Sequence, residues 1–402
     1  MNTLLRKGRG ALWFSLFKYL EIGITAITTF MVAKKIGPGE MGKSIPILLF
    51  VTYSNYLSLG VNQVIVKNYS RYTDKDQIFG FIKVNLQYMI LISFISFSFS
   101  YFLVDKNFFI VASLVSIGTL LRTFFTAYYR SIDKIWVLNK NELIFSILFL
   151  FFTFTLVHDL KDYFNYWWIC LWICLLLYFL DDIRFFTKIF KEIFIFPRKE
   201  LLIYNIKEGV KLAATGFVAT ILLTADRFVI NRLNISLEAK GSYQLADYCG
   251  TAYYLIVTTV VFYFYPKIIA KLRTDINFRK TYLRYLKYAI ASIPVILILV
   301  FFSIKLFSYL FFPEYNNLDY FSTLSVCLKS GVVLISSLSM YYIAIDREVY
   351  YLKSMLLPLG CYVLLGGFFI YLNSVNVFWV PAGFSLILFL EFLRKLIYFE
   401  RE

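Results

Sequence analysis

Lys18, Glu21, Arg122, Asp226, Arg227, Asp247, Lys305 and Lys329 are charged residues set inside long apolar runs. An ionised side chain at the centre of a bilayer costs about 2.5–3.5 kcal/mol on insertion scales, so such groups face a protein interior or a watery path. The cations among them suit phosphate and pyrophosphate. Guanidinium grips an oxyanion with two parallel hydrogen bonds, and ammonium acts as a compact point charge. The acids Glu21, Asp226 and Asp247 would carry a coupling ion or balance the cations.

Spacing puts these residues on polar faces of helices. One face holds Lys18, Glu21, Thr25 and Thr28; another holds Asn55, Ser58 and Asn62. Thr119, Arg122, Thr126 and Tyr129 form a third, and Lys211, Thr215 and Asp226 share a side. Asp247, Thr251, Tyr254 and Thr258 follow the same rule, as do Ser325, Lys329, Ser336 and Ser339. So many amphipathic faces predict a polar central cavity. The plainer alternative is a packed bundle. In it most Ser and Thr hydroxyls bond helix backbone, Lys18 and Glu21 form a local ion pair, and Asp226 serves a cation on the first or fourth span.

Other chemistries are excluded or weak. His158 is the only histidine, which removes a histidine metal site and a Ser-His-Asp triad. Cys170 and Cys174 lie four apart in an apolar run without charge partners, and read as small fillers rather than as a metal or redox pair. No catalytic residue, metal or cofactor is assigned. Coupling to a proton gradient, a sodium gradient or the membrane potential stays open.

The elements that must position these residues follow from composition. The chain has 402 residues, 60% hydrophobic and only 16% charged. A soluble domain carries about 25% charged residues. A span needs about 20 apolar residues to cross the hydrocarbon. Such runs lie near 12–33, 43–65, 81–103, 108–129, 142–158, 164–180, 209–230, 243–265, 284–308, 320–345, 349–372 and 376–397. They are continuous rather than alternating, which excludes a barrel. The N-terminal segment reads as a retained first span, not a cleaved signal. The positive-inside rule places both termini in the cytoplasm, since the two richest basic loops, 181–208 and 266–283, then fall inside. By depth, Lys18 and Arg122 are then in the inner half, Lys329 near the middle, and Arg227 and Lys305 toward the outer end. That series suits the passage of an anionic headgroup. The formal charge of +16 reads as topology and a face for membrane lipids, not for nucleic acid.

The prediction is therefore an all-α integral membrane protein of about 12 transmembrane helices. The longest polar stretch suggests lobes at 1–183 and 209–402 joined by a cytoplasmic linker, 184–208. A faint echo supports two pseudo-symmetric six-helix lobes. Gly37-Pro-Gly-Glu-Met-Gly42 follows the first span, and Ser236-Leu-Glu-Ala-Lys-Gly241 follows the seventh at half-chain offset.

Lys35-Ile-Gly-Pro-Gly-Glu-Met-Gly42 and Leu59-Gly-Val-Asn-Gln-Val-Ile-Val-Lys67 resemble the opening of the polysaccharide (O-antigen, Wzx-type) flippases. Ala225-Asp-Arg-Phe-Val-Ile230, Gly241-Ser-Tyr-Gln-Leu-Ala246 and Tyr265-Pro-Lys-Ile-Ile-Ala270 resemble the same family around its seventh and eighth helices. Beyond Pro266 the match is by hydropathy alone. The resemblance implies the MATE-like fold of the multidrug/oligosaccharidyl-lipid/polysaccharide (MOP) exporter superfamily, with two six-helix lobes around a central cavity. It also implies a cargo: an oligosaccharide repeat unit of O-antigen or lipopolysaccharide on undecaprenyl pyrophosphate, flipped across a bacterial inner membrane by alternating access. A polysaccharide polymerase and other assembly proteins are the implied partners. Some of the 32 tyrosines would stack on sugar.

Two other readings share parts of the pattern. An ion-coupled small-molecule exporter of the same fold would favour an acidic cavity for cationic drugs. A membrane-embedded polysaccharide polymerase would carry a large outer loop, whereas every outer loop here is short.

Overall fold

The computed structural model describes residues 2–401 apart from 73, 196–198, 346 and 374. The side chains of 2–16, 18, 70, 215, 260, 262–267, 270, 343, 348–349 and 400–401 also lie outside the description. Among the described residues every regular element is a helix: α1 (Asn2–Ser54), α2 (Val61–Asn68), α3 (Lys75–Leu103), α4 (Phe109–Ser131), α5 (Ile135–Thr155), α6 (Leu160–Asp181), α7 (Ile183–Lys191), α8 (Lys199–Arg232), α9 (Leu237–Thr274), α10 (Ile276–Phe311), α11 (Leu318–Ala344), α12 (Glu348–Ser354), α13 (Leu356–Leu372) and α14 (Trp379–Arg401). Lipid offers no hydrogen bonds, so a spanning chain must satisfy its own backbone.

The expected spans fall on these helices. The first two share α1, the second continuing through a short turn into α2. By length and apolar content, seven described helices could cross a membrane, and up to nine if two bent pairs count as one span each. Polar residues mark the breaks. Asp159 separates α5 from α6 and caps α6 by accepting from the Asp162 amide at 2.8 Å. Ser236 caps α9 and Asp275 caps α10 in the same way. Lys35 closes the far end of α5, donating to the carbonyls of Thr153, Phe154 and Val157 at 2.8, 2.6 and 3.2 Å.

The chain forms two compact units. Unit 1 is Met1–Lys35 with Pro46–Gly216, and unit 2 is Ile36–Ile45 with Phe217–Glu402. Each unit thus borrows a piece from the other half of the sequence. Within unit 2 the borrowed piece bends at Gly37, whose φ of 76° and ψ of 171° suit only glycine. It then runs against the start of α9 with no space between backbones. A β-carbon at Gly42 would collide with the Leu237 carbonyl, and one at Gly241 with the Pro38 carbonyl. Unit 1 repeats the device: Gly60 and Gly209 meet so closely that a β-carbon on either would strike the other segment's backbone.

Each unit is organised around one helix. In unit 1 α4 packs on α2, α3, α5 and α6; in unit 2 α11 packs on α9, α10, α12 and α14. Hydroxyls join the helices of unit 1, where Ser116 on α4 bonds Ser54 at 2.6 Å and Ser96 at 2.7 Å. Small polar residues let helices approach and bond where lipid provides no hydrophobic drive. The helix α10 instead exposes Val295, Ile298, Leu299, Phe302 and Leu306, a surface suited to lipid.

The glycine crossings make a differential prediction. Gly241→Ala and Gly60→Ala should each destabilise by about 1–3 kcal/mol, because backbone cannot retreat from a new methyl group. Gly367→Ala, with nothing near its β position, should be neutral or stabilising by up to about 1 kcal/mol. Thermal unfolding in detergent, read by size-exclusion, would check the contrast.

Candidate functional site

Unit 2 gathers four of the expected charged residues. Asp226 and Arg227 are neighbours on α8, Asp247 lies on α9 and Lys329 on α11. Helix α11 presents Ser325 and Lys329 one turn apart to the same carboxylate. The Lys329 ammonium is 2.8 Å from Asp247 Oδ1, and the Ser325 hydroxyl is 3.4 Å from that oxygen. Arg227 Nε reaches the other oxygen, Oδ2, at 3.2 Å. Lys329 also donates to the Leu223 carbonyl on α8. Tyr243, one turn before Asp247, donates its hydroxyl to Asp226. Gly250 permits this approach, since a β-carbon there would collide with Ser325.

The cluster is nearly sealed. Lys329 and Asp247 are each 1% exposed and Asp226 is 0%. Two carboxylates and two cations make a balanced set, which is how ionised groups persist in a low-dielectric interior. Helices α8, α9 and α11 are therefore cross-linked by charge at a point where each alone would be unstable.

Unit 1 holds a second pair. Arg122 on α4 meets Glu142 on α5 through two guanidinium nitrogens, Nε lying 2.9 Å from Oε1. The Phe145 ring centre is 4.2 Å from the guanidinium carbon, and Tyr178 on α6 donates to Glu142 at 2.8 Å. Glu21, half-buried on α1, lies within electrostatic reach of Tyr178 and Cys174. The partner that sequence reading passed over is Glu142. Its one signal was an acid in the opening turn of an expected span.

The remaining expected residues go elsewhere. Lys305 lies on the exposed face of α10, its ammonium 5.8 Å from the centre of the Phe301 ring. The side chain of Lys18 lies outside the described residues, as does that of Thr215. Lys211 is exposed and pairs with Glu208 at 2.8 Å. Arg227 and Lys329, read by depth as separate steps, share one carboxylate. Many hydroxyls of the polar faces bond their own helix: Thr28 to Ile24, Ser58 to Asn55, Thr119 to Val115, Thr258 to Tyr254 and Ser339 to Ser336. Asn62 is an exception, bonding Thr123 across helices at 2.8 Å.

Comparison with family models finds no match, and comparison with curated proteins finds none either. Comparison with solved structures finds the fold. A lipid II flippase, MurJ, in an inward closed conformation superposes with a TM-score of 0.64 at 13% identity, covering 97% of this chain and 88% of that one. A multidrug resistance MATE family transporter of the MOP superfamily is similar in its inward-facing state, with a TM-score of 0.58 at 12% identity over 94% of this chain and 96% of that one. Its outward-facing state gives 0.57 at 11% identity, over 96% and 93%. The chain therefore shares the multi-span, all-helical MATE-like fold of these solved structures.

The cluster predicts asymmetric mutational costs. Asp247→Ala leaves two cations to share one carboxylate, Asp226, and should cost about 3–5 kcal/mol. Combining it with Lys329→Met should recover most of that loss, because one carboxylate, Asp226, and one cation, Arg227, then remain in balance. Unfolding of purified protein in detergent measures both.

Proposed function

We propose that this chain is a flippase. It moves an oligosaccharide repeat unit linked to undecaprenyl pyrophosphate from the cytoplasmic to the periplasmic leaflet of a bacterial inner membrane, by alternating access. The observation that carries the reading is the shared fold with a lipid II flippase over 97% of this chain. The motifs around Lys35–Gly42 and Ala225–Ala246 add to it. A polysaccharide polymerase and other assembly proteins would act on the same cargo.

The buried cations fit the anionic headgroup through exchange of partners. Arg122 and Lys329 each hold a carboxylate in the structure. A pyrophosphate oxygen offers the same charge and hydrogen-bond geometry as that carboxylate. Headgroup binding at Arg122 would release Glu142, and at Lys329 or Arg227 it would release Asp247. The freed acid then takes a proton or sodium ion, so cargo and coupling ion become linked without separate machinery. Glu21 stands close enough to join the exchange at Arg122, and Asp226 the one at Lys329 and Arg227.

A second reading, export of a small molecule coupled to an ion gradient, is favoured by the likeness to the MATE transporter. It predicts that transport persists without any lipid-linked oligosaccharide.

Complementation separates the two. Expressed in a strain lacking its polysaccharide flippase, the chain should restore surface polysaccharide, and its loss should leave lipid-linked oligosaccharide on the inner leaflet. Lys18→Ala, Arg122→Ala and Lys329→Ala, compared at matched membrane abundance, should lower flipping about tenfold or more, the equivalent of one charge-assisted hydrogen bond. Full activity in all three would sink the headgroup role. Flipping by Glu21→Gln across imposed pH and sodium gradients then tests whether that acid takes part in coupling.

A further inference from the structure

The helix α7 lies outside the expected spans, in the loop placed at the cytoplasmic side. Its Phe186 and Ile189 are buried, Phe186 lying 5.0 Å from the ring of Phe125 and 5.1 Å from that of Tyr128, centre to centre. The opposite face carries Arg184, Thr187, Lys188 and Lys191, all exposed, which with Ile183 line a shallow groove of ≈ 320 Å³.

The acids beside this helix are each engaged by a partner. Asp181 takes Lys140 at 2.6 Å and Asn141 at 2.8 Å. Asp182 accepts from the Tyr128 hydroxyl at 2.7 Å, and Glu192 lies 3.2 Å from Lys83. The bases face out, and among the described residues the groove lining holds cations and no acid. Lys188 rests over the Phe79 ring at 4.5 Å, an arrangement that keeps its ammonium at the surface.

The segment is also held in place. Gln87 on α3 donates to the carbonyls of Ile193 and Ile195 at 2.6 and 2.7 Å. That fixed backbone holds out Phe194, 95% exposed, next to the exposed Ile195 and Phe190. A pinned helix with a basic face and protruding apolar side chains matches the form of an interfacial anchor.

We propose that α7 rests on the cytoplasmic leaflet and binds anionic phospholipid headgroups between Arg184, Lys188 and Lys191, with Phe194 inserted at the acyl boundary. Charge complementarity selects the occupant: a cluster of three cations beside a membrane attracts acidic headgroups and gains nothing from zwitterionic ones. The proposal does not depend on the cargo, only on the chain spanning a bilayer.

The test uses full-length Phe194→Trp protein reconstituted in mixed vesicles of phosphatidylglycerol and phosphatidylcholine, with bromine on one lipid or the other at equal content. Fluorescence of the unsubstituted protein is subtracted. Brominated phosphatidylglycerol should quench the added tryptophan about twofold more than brominated phosphatidylcholine, reflecting local enrichment of the acidic lipid. The ratio should fall to one when Arg184→Gln, Lys188→Gln and Lys191→Gln are combined. It should also fall in about 1 M salt, where the screening length is about 3 Å. The salt arm tests the charge dependence even if the triple variant folds poorly. Absence of quenching by either lipid would overturn the insertion. A ratio of one in the parent, or a ratio unmoved by both the triple change and salt, would overturn the headgroup site.

Discussion

Charge buried where neither water nor lipid can solvate it is the constraint on which unit 2 depends. Asp247 answers it by pairing with cations on two other helices, Arg227 on α8 and Lys329 on α11. Asp247 on α9 and Lys329 on α11 find their opposite charges only on other helices, so α9 and α11 must come together before these two groups are tolerable. Unit 1 solves the same problem with one two-pronged pair, Arg122 and Glu142, backed by Tyr178 and the face of Phe145. In each unit one cation sits on the central helix, Arg122 on α4 and Lys329 on α11.

Close packing is the second requirement, and glycine meets it at chosen points. Charge pairs need helix axes near enough for short side chains to touch. Gly250 brings α9 and α11 to that distance. The crossings at Gly42–Gly241 and Gly60–Gly209 do the same for the segments that each unit takes from the other half of the chain. The sequence echo between Gly37–Gly42 and Ser236–Gly241 thus has a physical meaning in unit 2: its two members pack against each other.

Paired cations change how an anionic cargo is to be imagined. A free row of lysines and arginines would attract phosphate strongly but would be costly to keep empty. Cations already holding carboxylates are stable when empty and exchange one anion for another at small net cost. In the proposed exchange the displaced acid would need a cation, which would tie cargo binding to ion binding by simple charge balance. Tight binding is not the goal of a transporter; comparable stability of the loaded and unloaded states is.

Much of the fold was legible from residue order because it follows from one-dimensional facts. Apolar runs longer than about 20 residues demand helices, and Asp159, Ser236 and Asp275 mark where helices start. The charged residues that cluster in unit 2 were legible for the same reason: Arg227, Asp226, Asp247 and Lys329 stand out against their apolar surroundings. Who pairs with whom was not legible. Depth along a span says nothing about rotation or about which helices are neighbours, so Arg227 and Lys329 read as separate steps until tertiary packing put both on Asp247. Glu142 escaped notice because an acid at a span's end can as well lie in the headgroup region; only its contact with Arg122, twenty residues away, makes it part of the core. Lys305 shows the converse, a charge inside an apolar run that packing leaves on the exposed face of α10. Sequence by itself determined that the chain is helical, membrane-spanning and burdened with buried charge. Tertiary structure alone decided how that charge is neutralised, because Coulomb energy depends on distance through space.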